Sequence, residues 1–348
     1  MKRILSLALA ALLLLLSIPA AAAAEGDFTP AKYEWSFIKK IPMKPKYTEE
    51  VEHKGTVEKL TYTTHSYALE AVAAGTVQKA ADDNDTTDAI DAELLCGDQT
   101  EFLMEKELYV YLPYGYDPSV KYNVVYALHG TEGSAEYWIG ENSMGLTTRK
   151  VLDRMIDQGE CAPFILVTPS YYSIPADKAE FFTDFYAEPL ANVWPMYFWM
   201  ELENEIMPLI ESTYSVYSAE EDARDHRGFV GLSRGSMTTV NSVMMHCLEH
   251  FSYFGTFSGI WCDFDSFKAT LESPEYKDLD IKFWYSGNGT ADFSLPNHEA
   301  FRDRALNEMS DRFVDGENFA WVNFKGGAHA YNCWLPDLYN AMLVFFTK

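Results

Sequence analysis

The sequence predicts an α/β fold with a mostly parallel central sheet and helices on both faces. Three observations predict it. Strand-like and helix-like segments alternate for over 200 residues with no internal repeat. Two strand-like runs, within "KYNVVYALHG" and "APFILVTPS", have the continuous apolar character of strands covered on both faces. The 348-residue chain is 48% hydrophobic and 15% aromatic, enough for a large core and unlike a disordered composition.

The chain begins with Lys2 and Arg3, a long apolar run, and then "PAAAAAEGD". This order of charged, apolar and small residues reads as a secretory signal over residues 1–24, with export from a bacterial cell as the expected destination. The formal net charge is −25, and removing Lys2 and Arg3 takes it to −27. Such a surface repels nucleic-acid phosphates and anionic lipid, so neither is an expected partner. The five cysteines, Cys96, Cys161, Cys247, Cys262 and Cys333, show no metal-ligand spacing. No metal site is expected from them.

Residues 25–54, with Pro30, Pro42 and Pro45, read as an N-terminal extension, and residues 55–348 as the main domain. "GTVEKLTYTTHSY" alternates like a strand. Residues 71–101 follow and read as an acidic surface insertion. "ELYVYLPYGYD", "KYNVVYALHG" and "APFILVTPS" are the next strands. A helix over "SMGLTTRKVLDRMIDQG" separates the last two, and "FWMELENEIMPLIESTY" reads as one further amphipathic helix. "GFVGL", "YFGTFSG", "IKFWYSG" and "FAWVNFKG" complete the strands. "NHEAFRDRALNEMSDRF" is a helix between the last two, and "LPDLYNAMLVFFTK" closes the chain.

Chemistry concentrates at "GFVGLSRGSMTTV". Ser233 sits in Gly-x-Ser-x-Gly, which alone recurs by chance in about one chain of this length in ten. Here it joins a strand to a helix, and that context makes Ser233 a candidate nucleophile on a tight turn. The Arg234 N–H at the helix start is a candidate oxyanion donor. The second donor is expected after "YALHG", at Thr131, with Gly130 next and His129 in a structural role.

A serine hydroxyl needs a base. His246 and His250 fall in or at the end of the helix after the turn and suit packing, capping or surface roles. His298 starts a later helix. His329, in the loop "KGGAHAYNCW" directly after a strand, is the candidate base. Asp292, in the loop after "IKFWYSG", is the candidate acid that orients it, with Asp263 and Asp265 as competitors. Trp334 lines the pocket or anchors the histidine loop. The aromatic segment over residues 181–199 reads equally as a pocket wall or as core packing.

Together, "YVYLPYGYDPSVKYNVVYALHG", "EIMPLIESTYSVY", "RGFVGLSRGS", "SGNGTADF" and "GGAHAYNCWLPDLYNAM" resemble the esterase D or feruloyl-esterase-like serine esterases, carbohydrate esterase family one, over residues 103–348. The resemblance implies an α/β-hydrolase fold and a triad of Ser233, Asp292 and His329, with backbone oxyanion donors near Thr131 and at Arg234. It implies hydrolysis of cell-wall esters through an acyl-enzyme, feruloyl or other hydroxycinnamoyl groups first and acetyl-xylan second, with no metal or organic cofactor. The chain departs from many relatives at Arg234, Ser236 and Ala328, which leaves the shape of the acyl pocket open. A small-ester or siderophore esterase, an acyltransferase of the mycolyltransferase type, and a catalytically silent binding protein are the alternatives.

Overall fold

The computed structural model describes residues 28–30, 45–77, 90–182, 190–218 and 222–346. The expected signal segment, residues 1–24, lies outside them. The described strands are β1 (Phe28–Pro30), β2 (Thr56–His65), β3 (Leu103–Leu112), β4 (Asn123–Leu128), β5 (Phe164–Thr168), β6 (Arg227–Leu232), β7 (Tyr253–Phe257), β8 (Phe283–Gly289) and β9 (Phe319–Phe324). They form one sheet in the order β1-β9-β8-β7-β6-β4-β5-β3-β2. β4 through β9 pair in parallel. The pairs β2–β3, β3–β5 and β1–β9 are antiparallel.

Burial explains the strand sequences. β5, β6, β7 and β8 are buried at every position, which is why they read as continuous apolar runs. β2 lies at the sheet edge and stays largely open to water. Its Lys59 pairs with Glu107 of β3 at 2.6 Å, a charged finish that discourages edge-to-edge association. Successive strand residues face opposite ways and build two cores. Tyr126, Phe229 and Trp284 pack on one face, and Val125, Val230 and Tyr285 on the other.

The helices that matter here are α1 (Tyr67–Ala74), α2 (Ala92–Cys96), α3 (Ser143–Asp157), α4 (Val193–Glu201), α5 (Met207–Thr213), α6 (Arg234–Thr238), α7 (Phe264–Leu271), α8 (Leu295–Glu308) and α9 (Tyr331–Val344). The helix expected over "FWMELENEIMPLIESTY" runs through without a gap as α4, a π-helical stretch Leu202–Ile206 and α5, with helical dihedrals at both junctions. Pro208, which has no N–H to donate, lies just after the π-helical stretch, where the regular hydrogen-bond ladder is already altered.

One expectation changes. The ends of the supposed surface insertion, residues 71–101, are core. Ala71 and Val72 of α1 and Leu95 and Cys96 of α2 are buried, while residues 78–89 lie outside the described residues. The acidic composition between the two helices hides the short apolar faces that anchor them. The aromatic segment 181–199 also contributes to the core. Phe182, Trp194 and Phe198 are buried, and Trp194 packs edge-on against Tyr172 and Phe182. Residues 183–189 lie outside the described set.

Candidate active site

The site is built on the carboxyl ends of β4, β6, β8 and β9, where the loops of a parallel sheet converge. β6 delivers Ser233 into a tight turn. Its φ and ψ are 53° and −119°, outside the regions that an L-residue ordinarily occupies. The turn is held at both ends: Ser233 N–H donates to Phe257 O at 2.8 Å, and Met237 N–H donates to Ser233 O at 3.0 Å. The flanking glycines have a steric cause. A side chain on Gly231 would collide with the Gly235 carbonyl, and one on Gly235 would collide with the His129 carbonyl. Strand, turn and helix can approach this closely only without those two Cβ atoms. Arg234 is the first residue of α6, so its N–H lies beside the Ser233 side chain at a helix start.

The loop after β4 reaches the same place. Gly130 lies so close to the turn that a Cβ there would come within 3.1 Å of Ser233 Cβ. Thr131 follows it directly. His129 is fully buried, its Nδ1 2.7 Å from Gly130 O and its Nε2 2.8 Å from Ser170 Oγ. Burial pulls its pKa down to about 4, so the ring is neutral and serves to hold these two loops.

Asp292 and His329 meet across the ends of β8 and β9. His329 Nδ1 lies 2.9 Å from both Asp292 oxygens. The Asp292 side chain is inaccessible, and His329 retains 18% exposure. Burial alone would raise the Asp292 pKa. The hydrogen bonds from His329 and from Ser294 N–H and Oγ outweigh it and hold the carboxyl below the ordinary value. His329 lies two residues before α9, and Ala330 is the cap of that helix.

The competing residues are engaged elsewhere. Asp263 caps α7, accepting from Ser266 N–H at 3.1 Å and Ser266 Oγ at 2.6 Å. Asp265 pairs with Arg304 at 2.7 Å. His298 is buried between Ser286 and Asn288, and burial lowers its pKa to about 3. His246 stacks on Trp199, and His250 pairs with Glu203 at 3.1 Å. Glu203, Glu249 and His250 are the one group of metal-ligand spacing among the described residues. Glu203 and Glu249 line a cavity of about 580 Å³ that shares no residue with the Ser233 region.

Trp334 differs from a pocket wall. It is only 9% exposed, donates from Nε1 to Ser258 Oγ at 2.7 Å, and meets the His329 ring edge-on at 5.1 Å. It fixes the histidine loop to the end of β7. Since Ser233 is bonded to β7 through Phe257 O, these contacts tie the Ser233 turn and the histidine loop to neighbouring backbone. Two residues escaped the sequence reading. Asp337 is a second buried carboxyl, and Phe293 is an exposed ring beside His329.

The profile of the family described as putative esterase matches residues 101–345, more than half of the chain. The chain belongs to the putative esterase family. This esterase is similar to endo-1,4-beta-xylanase Y of Acetivibrio thermocellus, with 37% identity over 257 residues. The match covers 69% of the esterase and 22% of the relative, so the chain corresponds to about a fifth of that longer protein. A feruloyl esterase module from Clostridium thermocellum, solved with sinapinate, superposes with a TM-score of 0.64 at 23% identity, covering 92% of this chain and 96% of the module. The ferulic acid esterase of Anaeromyces mucronatus, solved with ferulic acid, gives 0.63 at 20% identity, covering 90% and 98%. At these identities the structural likeness establishes the α/β-hydrolase fold. Family membership places the chain among the putative esterases, and the likeness to the feruloyl esterases is one of fold.

Proposed function

We propose that this protein is an exported serine esterase that removes feruloyl or other hydroxycinnamoyl groups from plant cell-wall polysaccharide. One observation carries the mechanism: the strained Ser233 turn and the buried Asp292–His329 pair occupy converging loops at one end of the sheet. Asp292 holds His329 through Nδ1, so Nε2 is the ring nitrogen available as base. In this reading His329 takes the Ser233 proton as Oγ attacks the ester carbonyl. The carbonyl oxygen gains charge between the Thr131 and Arg234 N–H groups. Collapse expels the alcohol, which receives the proton from His329. A water then attacks the acyl-serine by the same route in reverse and releases the acid.

The substrate class rests on the similarity to part of a xylanase and to esterases solved with sinapinate and ferulic acid. Export rests on the charged, apolar and small-residue order of residues 1–24.

The test is hydrolysis of methyl ferulate and of a short acetyl ester, with Ser233→Ala as control. Ferulate cleavage that falls by about 10³-fold or more in the variant is the expected result. Cleavage of the acetyl ester alone would move the substrate to acetylated polysaccharide. Undiminished turnover by Ser233→Ala would overturn the nucleophile.

A further inference from the structure

Phe293 follows Asp292 and is 72% exposed, the most open large hydrophobic side chain among the described residues. Its ring centroid lies 4.5 Å from that of His329, at an interplanar angle of 38°. Its second ring neighbour is Trp261, at 6.4 Å and 37°. Single exposed hydrophobics are ordinary on a protein surface. This one is not isolated, because it continues an aromatic surface from Trp261 to the candidate base.

The chemistry determines which half of an ester meets that surface. His329 must return its proton to the departing oxygen, so the alcohol oxygen must come within about 2.6–3.2 Å of the free ring nitrogen. The remainder of the alcohol then extends over the open side of the imidazole. Two rings contact His329: Trp334, buried and pinned to Ser258, leaves no room for an alcohol. Phe293 is the exposed one. The leaving alcohol therefore meets a flat apolar ring.

A sugar ring suits that surface. Its axial C–H bonds form a flat apolar face, while its hydroxyls point outward and stay hydrated. It can cover an aromatic ring without burying an unpaired polar group. Methanol and other small alcohols cover almost none of it. We propose that Phe293 is a platform for the sugar of the leaving alcohol, so that the enzyme selects esters carried on a sugar ring over esters of small alcohols with the same acyl group. The proposal rests on the reading of His329 as the base, and it assigns a specificity-determining residue to that site.

The test compares kcat/KM for methyl ferulate with that for a methyl pentoside bearing one feruloyl ester. Both are measured in the wild type and in Phe293→Ala, Phe293→Leu and Phe293→Tyr. The readout is the sugar-to-methyl ratio, which cancels any general effect on His329. The wild type should favour the sugar ester. The ratio should fall about threefold to tenfold in the alanine and leucine variants, the size of one lost aromatic contact, and should persist in the tyrosine variant. An unchanged ratio in Phe293→Ala, retention of the ratio by leucine, or a wild-type ratio near one would each overturn the platform. Failure of the underlying site is distinguishable, since Ser233→Ala would then turn over both esters. If the wild type cleaves only acetyl esters, the same ratio is read with an acetylated pentoside and methyl acetate. Phe293 is exposed, so thermal midpoints of all three variants should match the wild type.

Discussion

Two buried carboxyls lie close together behind the candidate base, and their surroundings drive them in opposite directions. Asp292 accepts from His329 and twice from Ser294, and is held below the ordinary carboxyl pKa. Asp337, in α9, is fully buried with one hydroxyl donor, Tyr285 at 2.9 Å. Burial, with a smaller push from Asp292, raises its pKa well above the usual value. Its carboxyl fills the space beside Gly287, where no side chain could fit. A group whose folded pKa exceeds its unfolded pKa contributes fully to stability only below the unfolded value. That contribution is lost as pH rises toward the folded value. Asp337→Asn keeps the oxygen that accepts from Tyr285 and removes the ionisation. Its thermal midpoint at neutral pH should equal or exceed that of the wild type, and should fall less as pH rises from 5 to 8. A steeper alkaline fall in the variant would contradict this account. The candidates Ser233, Asp292 and His329 stand out in the sequence because each follows a strand in a short loop with a marked composition, and the structure brings the last two together. Asp337 does not stand out, because an acid in an amphipathic helix ordinarily faces water, and only the packing of α9 on β8 buries it. Phe293 was hidden by standing next to the acid that drew attention to its loop.

At the scale of elements, a buried ion pair joins the antiparallel side of the sheet to the helix layer. Lys106 of β3 lies 2.7 Å from Glu201 of α4, with side-chain exposures of 6% and 3%. Tyr62 of β2 donates to the same carboxylate at 2.6 Å, and Lys106 also donates to Ser170 O at 2.6 Å. Ser170 Oγ in turn contacts His129, so the pair supports the loops beside Thr131. Burial lowers the Lys106 pKa, and the attraction of Glu201 opposes that shift. Removing one partner strands a charge in a place without water. Lys106→Met should therefore lower the unfolding free energy by about 3–5 kcal/mol. Adding Glu201→Leu should recover most of the loss, leaving mainly the cost of the Tyr62 hydroxyl without its acceptor. Urea denaturation measures both, and a single-variant loss below about 1 kcal/mol would refute the pairing. The strands were readable from their apolar runs. The pair was not, since Glu105-Lys106-Glu107 reads as a solvated stretch and nothing local indicates the helix that covers Lys106.

At the scale of the whole molecule, the fold was legible where local pattern decides the structure and obscure where remote packing does. The alternation of buried strands and helices from β4 onward requires a parallel sheet. Residues 25–54, rich in proline and lysine, carry no such pattern, yet part of them completes the body. β1 adds a strand beside β9. Tyr47, 5% exposed, enters the core formed with α3 and α9 and meets Tyr339 edge-on at 5.8 Å. Tyr339 donates to Glu160, just past the end of α3, at 2.6 Å. The extension thus clamps the half of α9 farther from His329. Burying a large aromatic ring contributes several kcal/mol, so Tyr47→Ala should lower the unfolding free energy by about 3 kcal/mol. Deletion through residue 54 should lower it at least as much. His329 precedes α9 and is held by Asp292 and Trp334, contacts that do not pass through Tyr47. Ester turnover at 25 °C should therefore be retained in Tyr47→Ala while its thermal midpoint falls. An unchanged midpoint would make the extension a passive linker. Loss of turnover in a folded variant would show that α9 transmits strain from the clamp to the histidine loop.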